Sequence, residues 1–145
     1  MSERKRILFL CTGNSARSQM AEGLLRHEAG DRFEVFSAGT RPTMLRPEAM
    51  AVMNEIGIDI SGQRSKSVEE FVGRELDTVI TVCDHAKESC PVFPSRTQLL
   101  HWPFEDPAAV EGLVEVNDEQ RKDAFRKTRD RIHGRIMVFL GEGKV

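Results

Sequence analysis

The stretch Cys11-Thr12-Gly13-Asn14-Ser15-Ala16-Arg17-Ser18 constrains this chain more than any other. The apolar run Ile7-Leu8-Phe9-Leu10 leads into it and reads as a strand, and Gln19-Met20-Ala21-Glu22-Gly23-Leu24-Leu25-Arg26 follows and reads as a helix. A cysteine therefore ends a strand, small residues make the connection, and an arginine and a serine open a helix. Successive backbone N–H groups in so tight a loop converge on one point, and the helix N-terminus adds partial positive charge. Arg17 adds a forked grip suited to a tetrahedral oxyanion. The same surroundings are expected to depress the Cys11 thiol and present a thiolate to the bound anion. Taken alone, a free cysteine reads equally as a small buried hydrophobe, and glycine and serine after a strand as a plain turn. Arg17 with Ser18 beside it, at a strand-to-helix switch, turns the reading toward chemistry.

Cys-x5-Arg-Ser after an N-terminal strand resembles the low-molecular-weight tyrosine phosphatase fold. The whole octet followed by Gln19-Met20-Ala21-Glu22-Gly23 is more similar to the arsenate reductases built on that fold. The resemblance implies an oxyanion held by Thr12, Gly13, Asn14, Ser15, Ala16, Arg17 and Ser18, with Cys11 as nucleophile. Asn14 suits a left-handed backbone position. Ser18 can donate to the Cys11 sulfur, and Ser15 reads as a loop residue. Some relatives carry a further cysteine where this chain has Ala16, so that position takes no part here.

A length of 145 residues suits one domain, expected to span residues 1–145. With 39% hydrophobic and 30% charged residues the composition is that of a globular chain, and a net charge of −2 gives no reason to expect nucleic acid or a membrane surface as partner. No apolar run approaches a membrane span, and the basic Arg4-Lys5-Arg6 is followed by too short an apolar run for a signal peptide. The cytoplasm is the expected location. Nothing signals oligomerisation, so a monomer is the default. Three cysteines, an odd number, fit catalytic or redox use better than a structural disulfide framework.

Patterning places strands at 6–11, Phe33–Ala38, Leu76–Val82 and Gln98–Trp102. Helices are expected at 17–29, at Pro47–Ile56 with Gly57 as the stop, and from Asn117 or Asp118 to about Leu140. Ala49, Val52, Met53 and Ile56 would form the buried stripe of the second helix. Ser67 is expected to cap a short helix, with Glu70 at its third position. The basic side of the last helix, with Arg121, Lys122, Arg126, Lys127 and Arg131, reads as a solvated face. The predicted fold class is α/β: a small, doubly wound, four-stranded parallel sheet with helices on both faces, like the low-molecular-weight phosphatases. Cys11, Ser37, Cys83 and Trp102 would then lie at or near one carboxyl edge.

Cys83 ends the third strand as Cys11 ends the first, and Cys83-Asp84-His85-Ala86-Lys87-Glu88-Ser89-Cys90-Pro91 reads as a short helical turn stopped by Pro91. A spacing of seven residues puts Cys83 and Cys90 on one face of a regular helix. Their Cα atoms would be about 10.5 Å apart there, whereas a disulfide needs less than about 7 Å. If they pair, the helix must unwind or loop out. The alternatives are burial as core residues, more natural for Cys83 than for Cys90, or metal ligation with His85, which lacks a fourth ligand at usual spacing. No metal and no bound cofactor is expected. The segment Val79 to Pro91 resembles the arsenate reductases that thioredoxin recharges, whose second and third cysteines flank a movable helix. Phosphatases of the fold lack that pair.

Asp106-Pro107 matches the loop on which the phosphatase fold keeps its general acid, with Glu105 as the neighbouring alternative. Ala108 stands where tyrosine phosphatases place an aromatic residue, and the chain contains no tyrosine, so the mouth suits a small inorganic anion. The resemblance implies catalysis by Cys11, Arg17, Cys83, Cys90 and Asp106, through redox-active disulfides Cys11–Cys83 and then Cys83–Cys90. Arsenate is the implied substrate, phosphate its analogue, and thioredoxin the external reductant, with glutathione and glutaredoxin as a substitute. Some relatives bind a monovalent cation through side chains matching Asn14, Glu22 and Ser37; here the Lys66 ammonium is expected in its place. The rival readings are a low-molecular-weight phosphatase for a small phosphomonoester, and a non-enzymatic arsenite-binding or redox-sensing protein.

Overall fold

The computed structural model describes residues 4–108 and 117–141. Four strands, β1 (Lys5–Cys11), β2 (Phe33–Gly39), β3 (Thr78–Thr81) and β4 (Gln98–His101), form one sheet in the order β2-β1-β3-β4. All three pairings are parallel. The helices are α1 (Arg17–Ala29), α2 (Pro47–Asn54), α3 (Asp84–Glu88) and α4 (Asp118–Gly141), with a 3-10 turn at Val68–Phe71. The chain moves from β1 outward to β2, then back across β1 to β3. The carboxyl ends of β1 and β3 are therefore the point where the winding reverses, and open α/β sheets bind ligands at such a point. Leu10 pairs with Thr81, so the next residues in register bring Cys11 and Thr12 beside Val82 and Cys83.

β1 is buried from Ile7 to Cys11, as a central strand covered on both faces must be. On one face Phe9 meets Trp102, which meets Phe139 of α4, and Phe33 also meets Phe139. On the other, Phe36 packs against Phe71 of the 3-10 turn. α2 joins α4 through Arg129, whose guanidinium donates to the Val52 carbonyl at 2.7 Å and to Glu55 at 3.0 Å. That bond satisfies a carbonyl in the last turn of α2.

Several boundaries differ from the sequence expectation. α2 stops at Asn54 rather than Ile56, because the chain turns through Gly57 at φ 79°; Ile56 leaves the buried stripe and is exposed, while Ala49, Val52 and Met53 stay in it. Ser67 caps its turn by accepting from the Glu69 N–H at 3.1 Å, but Glu70 does not complete a reciprocal box: its carboxylate pairs with Arg64 at 2.8 Å. β3 is shorter than the apolar run, although Asp77 just before it keeps backbone bonds to Arg6 and Gln98 and also accepts the Arg6 N–H on its side chain. On α4, Arg126 is not merely solvated; it binds Glu55 and Glu119. The irregular stretch after Asp106-Pro107 lies beyond Ala108, outside the described residues.

Candidate active site

The loop between β1 and α1 is built by its carbonyls. The Cys11 carbonyl accepts from Thr40 N–H, Thr12 from Arg41, Gly13 from Thr43 and Ser15 from Arg46. The Asn14 carbonyl accepts from the Gln19 amide and the Ser65 hydroxyl. Each carbonyl is thus turned outward, onto the segment after β2 or onto its braces. In a planar trans peptide the N–H of the next residue points the opposite way. The amides from Thr12 to Ala16 therefore face the loop's interior, and the Asn14 N–H reaches the Cys11 sulfur at 3.1 Å. Asn14 supplies the required turn at φ 50°. Gly39 lets β2 pass close beneath: a Cβ there would stand 2.5 Å from the Thr12 carbonyl oxygen and 2.9 Å from the Asn14 nitrogen.

A buried chain of hydrogen bonds runs from this loop to α1. Asn14 Oδ1 accepts from the Lys66 N–H at 2.9 Å, which fixes the orientation of the amide. Its Nδ2 then donates to Ser37 Oγ at 3.0 Å and to Ser18 Oγ at 2.8 Å. Ser37 in turn donates to Glu22 Oε1 at 2.5 Å. Ser18 Oγ accepts from Asn14 and lies 2.8 Å from Cys11 Sγ; to a Cys11 thiolate, which can only accept, its hydroxyl donates. Glu22 is held by Arg26 at 2.6 Å, and the Lys66 ammonium stands 3.8 Å from it. Burial pulls the Lys66 ammonium below the ordinary lysine value, against the nearby Glu22 charge that raises it. An ammonium therefore occupies the neighbourhood of Asn14, Glu22 and Ser37, as the sequence led one to expect.

The Cys11 thiol corrects an expectation. Burial pushes it up from its ordinary value, outweighing the Ser18 hydrogen bonds, the Arg17 charge and the Asn14 amide, which all pull it down. The helix terminus and guanidinium are present, but Cys11 is only 2% exposed and a thiolate there has little water to solvate its charge.

Cys83 is buried and meets the loop directly: its Sγ lies 3.3 Å from the Thr12 hydroxyl. It also accepts from the Ala86 N–H at 3.4 Å, capping α3. α3 ends at Glu88, so Cys90 is not on its face as the seven-residue spacing predicts. Pro91 is the reason, since a residue before proline is pushed out of the helical region. Cys90 is half-buried, its thiol donates to the Pro91 carbonyl at 3.4 Å, and burial raises it too. All three cysteines are free thiols.

Arg17 reaches across the loop and donates to the Phe104 carbonyl at 3.1 Å; its guanidinium is 3.9 Å from Asp106 Oδ2. Glu105 points elsewhere, 3.8 Å from Arg131 and almost fully exposed. The structure thus gathers Cys11, Arg17, Ser18, Cys83 and Asp106 at one edge, with Cys90 just beyond α3. The segment before the 3-10 turn contributes Ser65, which the sequence did not single out, and Lys66, of which only the ammonium was expected here. It is brought there by the Gly39 N–H bond to the Lys66 carbonyl at 2.9 Å. Nothing in the composition of Ile58 to Lys66 signals this brace; only the pairing with β2 creates it.

Residues 6–143 match the family model described as low molecular weight phosphotyrosine protein phosphatase. An arsenate reductase of Halalkalibacterium halodurans is 45% identical over 141 residues, covering 97% of this chain and 99% of its own length. Among solved structures, an arsenate reductase in the phosphate binding state superposes with a TM-score of 0.74 at 34% identity, covering 95% of this chain and 98% of that one. A thioredoxin-dependent arsenate reductase of Corynebacterium glutamicum gives 0.74 at 31% identity, over 97% of this chain and 62% of that one. With its parallel four-stranded sheet and its cysteine loop at the winding reversal, the chain belongs to the low molecular weight phosphotyrosine protein phosphatase family, among its arsenate reductases.

Proposed function

We propose that this protein reduces arsenate to arsenite by a three-cysteine relay, in the cytoplasm, and that thioredoxin recharges it. The loop amides and Arg17 hold arsenate while the Cys11 thiolate attacks arsenic. Asp106 protonates the departing oxygen, water leaves, and a Cys11–arsenic(V) bond forms. The Cys83 thiolate then attacks the Cys11 sulfur. The sulfur–arsenic bond breaks with its electron pair left on arsenic, so arsenite departs and a Cys11–Cys83 disulfide remains. The Cys90 thiolate attacks Cys83, Cys11 leaves as a thiolate, and a Cys83–Cys90 disulfide forms. The thioredoxin dithiol reduces it by exchange and becomes the disulfide itself.

The contact of Cys83 with the Thr12 hydroxyl, one residue from Cys11, carries this reading. A phosphomonoester hydrolase needs no second thiol at that place. The test is arsenate-dependent NADPH consumption with thioredoxin and thioredoxin reductase. Turnover is expected in the wild type, with loss of at least a hundredfold in Cys90→Ser. Absence of turnover in both, with hydrolysis of a small aryl phosphate intact, would establish the phosphatase instead.

A further inference from the structure

Asp84 is the first residue of α3 and follows Cys83 directly. Its carboxylate is largely exposed, yet it is paired: Oδ1 lies 2.9 Å from Nε2 of His101, the last residue of β4. The other ring nitrogen, Nδ1, is 2.7 Å from Thr81 Oγ1, at the end of β3. A carboxylate only accepts, so Nε2 carries a proton and donates to Asp84. In the neutral ring, Nδ1 then accepts from the Thr81 hydroxyl. In the imidazolium, Nδ1 donates to Thr81, whose hydroxyl turns to the Leu100 carbonyl at 3.3 Å. The pair is sound in either state, because Thr81 serves as acceptor or donor. His101 is only 22% exposed on its side chain and is anchored in the sheet; Asp84 is the movable partner.

We propose that Asp84 and His101 form a latch that holds the first turn of α3 on the sheet edge and so positions Cys83 toward Cys11 until the relay reaches Cys90. The inference rests on the three-cysteine reading. Cys83 Sγ is directed to Thr12 and to the Ala86 N–H, and its carbonyl accepts from the Lys87 N–H at 3.2 Å. Cys83 and Cys90 flank α3. A bond between them brings the two ends of the helix together, so that first turn must unwind, and the carboxylate one residue from Cys83 moves off a ring that the sheet holds still. The latch stabilises the dithiol and opens in the disulfide. His101 is a positioning residue; it acts on Cys83 only through Asp84.

The test is the equilibrium between dithiol and disulfide at Cys83 and Cys90, in a Cys11→Ser background. Oxidised glutathione serves as oxidant and is reduced to two glutathione molecules as the two thiols become one disulfide. Loss of an exposed pair predicts that His101→Ala and Asp84→Ala each raise the disulfide equilibrium constant by about two- to fivefold. Adding His101→Ala to Asp84→Ala should shift it no further. His101→Gln, which keeps a donor for Asp84, should stay near the parent value. Shifts that multiply in the double variant, no shift in either single variant, or a His101→Gln equal to His101→Ala would overturn the latch alone. If no Cys83–Cys90 disulfide forms in any variant, the relay reading falls and the latch with it.

Discussion

At the scale of residues, the chemistry of Cys11 is a contest between burial and directed hydrogen bonds. Burial wins in the free protein, so the folded thiol keeps its proton to a higher pH than the unfolded one. The unfolded state then releases its proton first. The stability this group contributes is present below the ordinary thiol value and is lost as pH rises through the folded one. Iodoacetamide labelling of Cys11, mapped by mass, should therefore go on rising at pH values where a free cysteine has levelled. Ser18→Ala removes the 2.8 Å bond that most favours the thiolate, and should slow labelling at pH 8 by about tenfold. Labelling unchanged in this variant would contradict the directed chain from Asn14. Lys66 supports a second prediction at this scale. Its ammonium faces Glu22, so potassium in place of sodium should leave the melting temperature of the wild type unchanged. Lys66→Ala should cost about 1 kcal/mol in sodium and recover part of it in potassium. A potassium-dependent rise in the wild type would contradict the assignment.

Among the elements, the cysteine loop depends on what β2 and its sequel present to it. Gly39→Ala would drive a methyl group against two backbone atoms, the Thr12 oxygen and the Asn14 nitrogen, neither of which can swing aside. The expected cost is about 1–3 kcal/mol of stability, and arsenate-dependent activity should fall more than stability alone explains. Full activity in a folded Gly39→Ala would show that the loop tolerates a different path. The octet itself was legible in the sequence because strand, small loop and helix are adjacent in the chain, and local patterns report local structure. Cys83 was legible as lying at the carboxyl edge, although β3 stops at Thr81 and leaves it in the connection to α3. The Ser65 hydroxyl and the Lys66 backbone that brace the loop, and the pairing of Asp84 with His101, were not. They arise where distant segments meet, and no spacing within 58–66 or 84–101 encodes the partner. The helical face shared by Cys83 and Cys90 was misread for a local reason: α3 runs only from Asp84 to Glu88, so one cysteine precedes it and the other lies two residues past its end. The depressed thiol was misjudged because a sequence names the neighbouring charges but not how much water is excluded.

For the molecule as a whole, the order β2-β1-β3-β4 places Cys11, at the end of β1, and Cys83, two residues beyond β3, at one reversal of winding. The segment that carries Asp106 follows β4 past Trp102, whose ring is tilted against Phe9, meets Phe139 edge-on and lies under the Arg135 guanidinium. The proposed anion cradle would belong to the loop between β1 and α1, whereas the proposed relay would need the ends of β1 and β3 together. A single-turnover experiment separates the two most directly. Reduced protein, freed of external thiol, is mixed with excess arsenate, and both arsenite and disulfide are counted. The account predicts about one arsenite per chain, with Cys83 bonded to Cys90 in the wild type and Cys11 bonded to Cys83 in Cys90→Ser. Arsenite release without either disulfide, or no arsenite from a protein whose three thiols are intact, would contradict it.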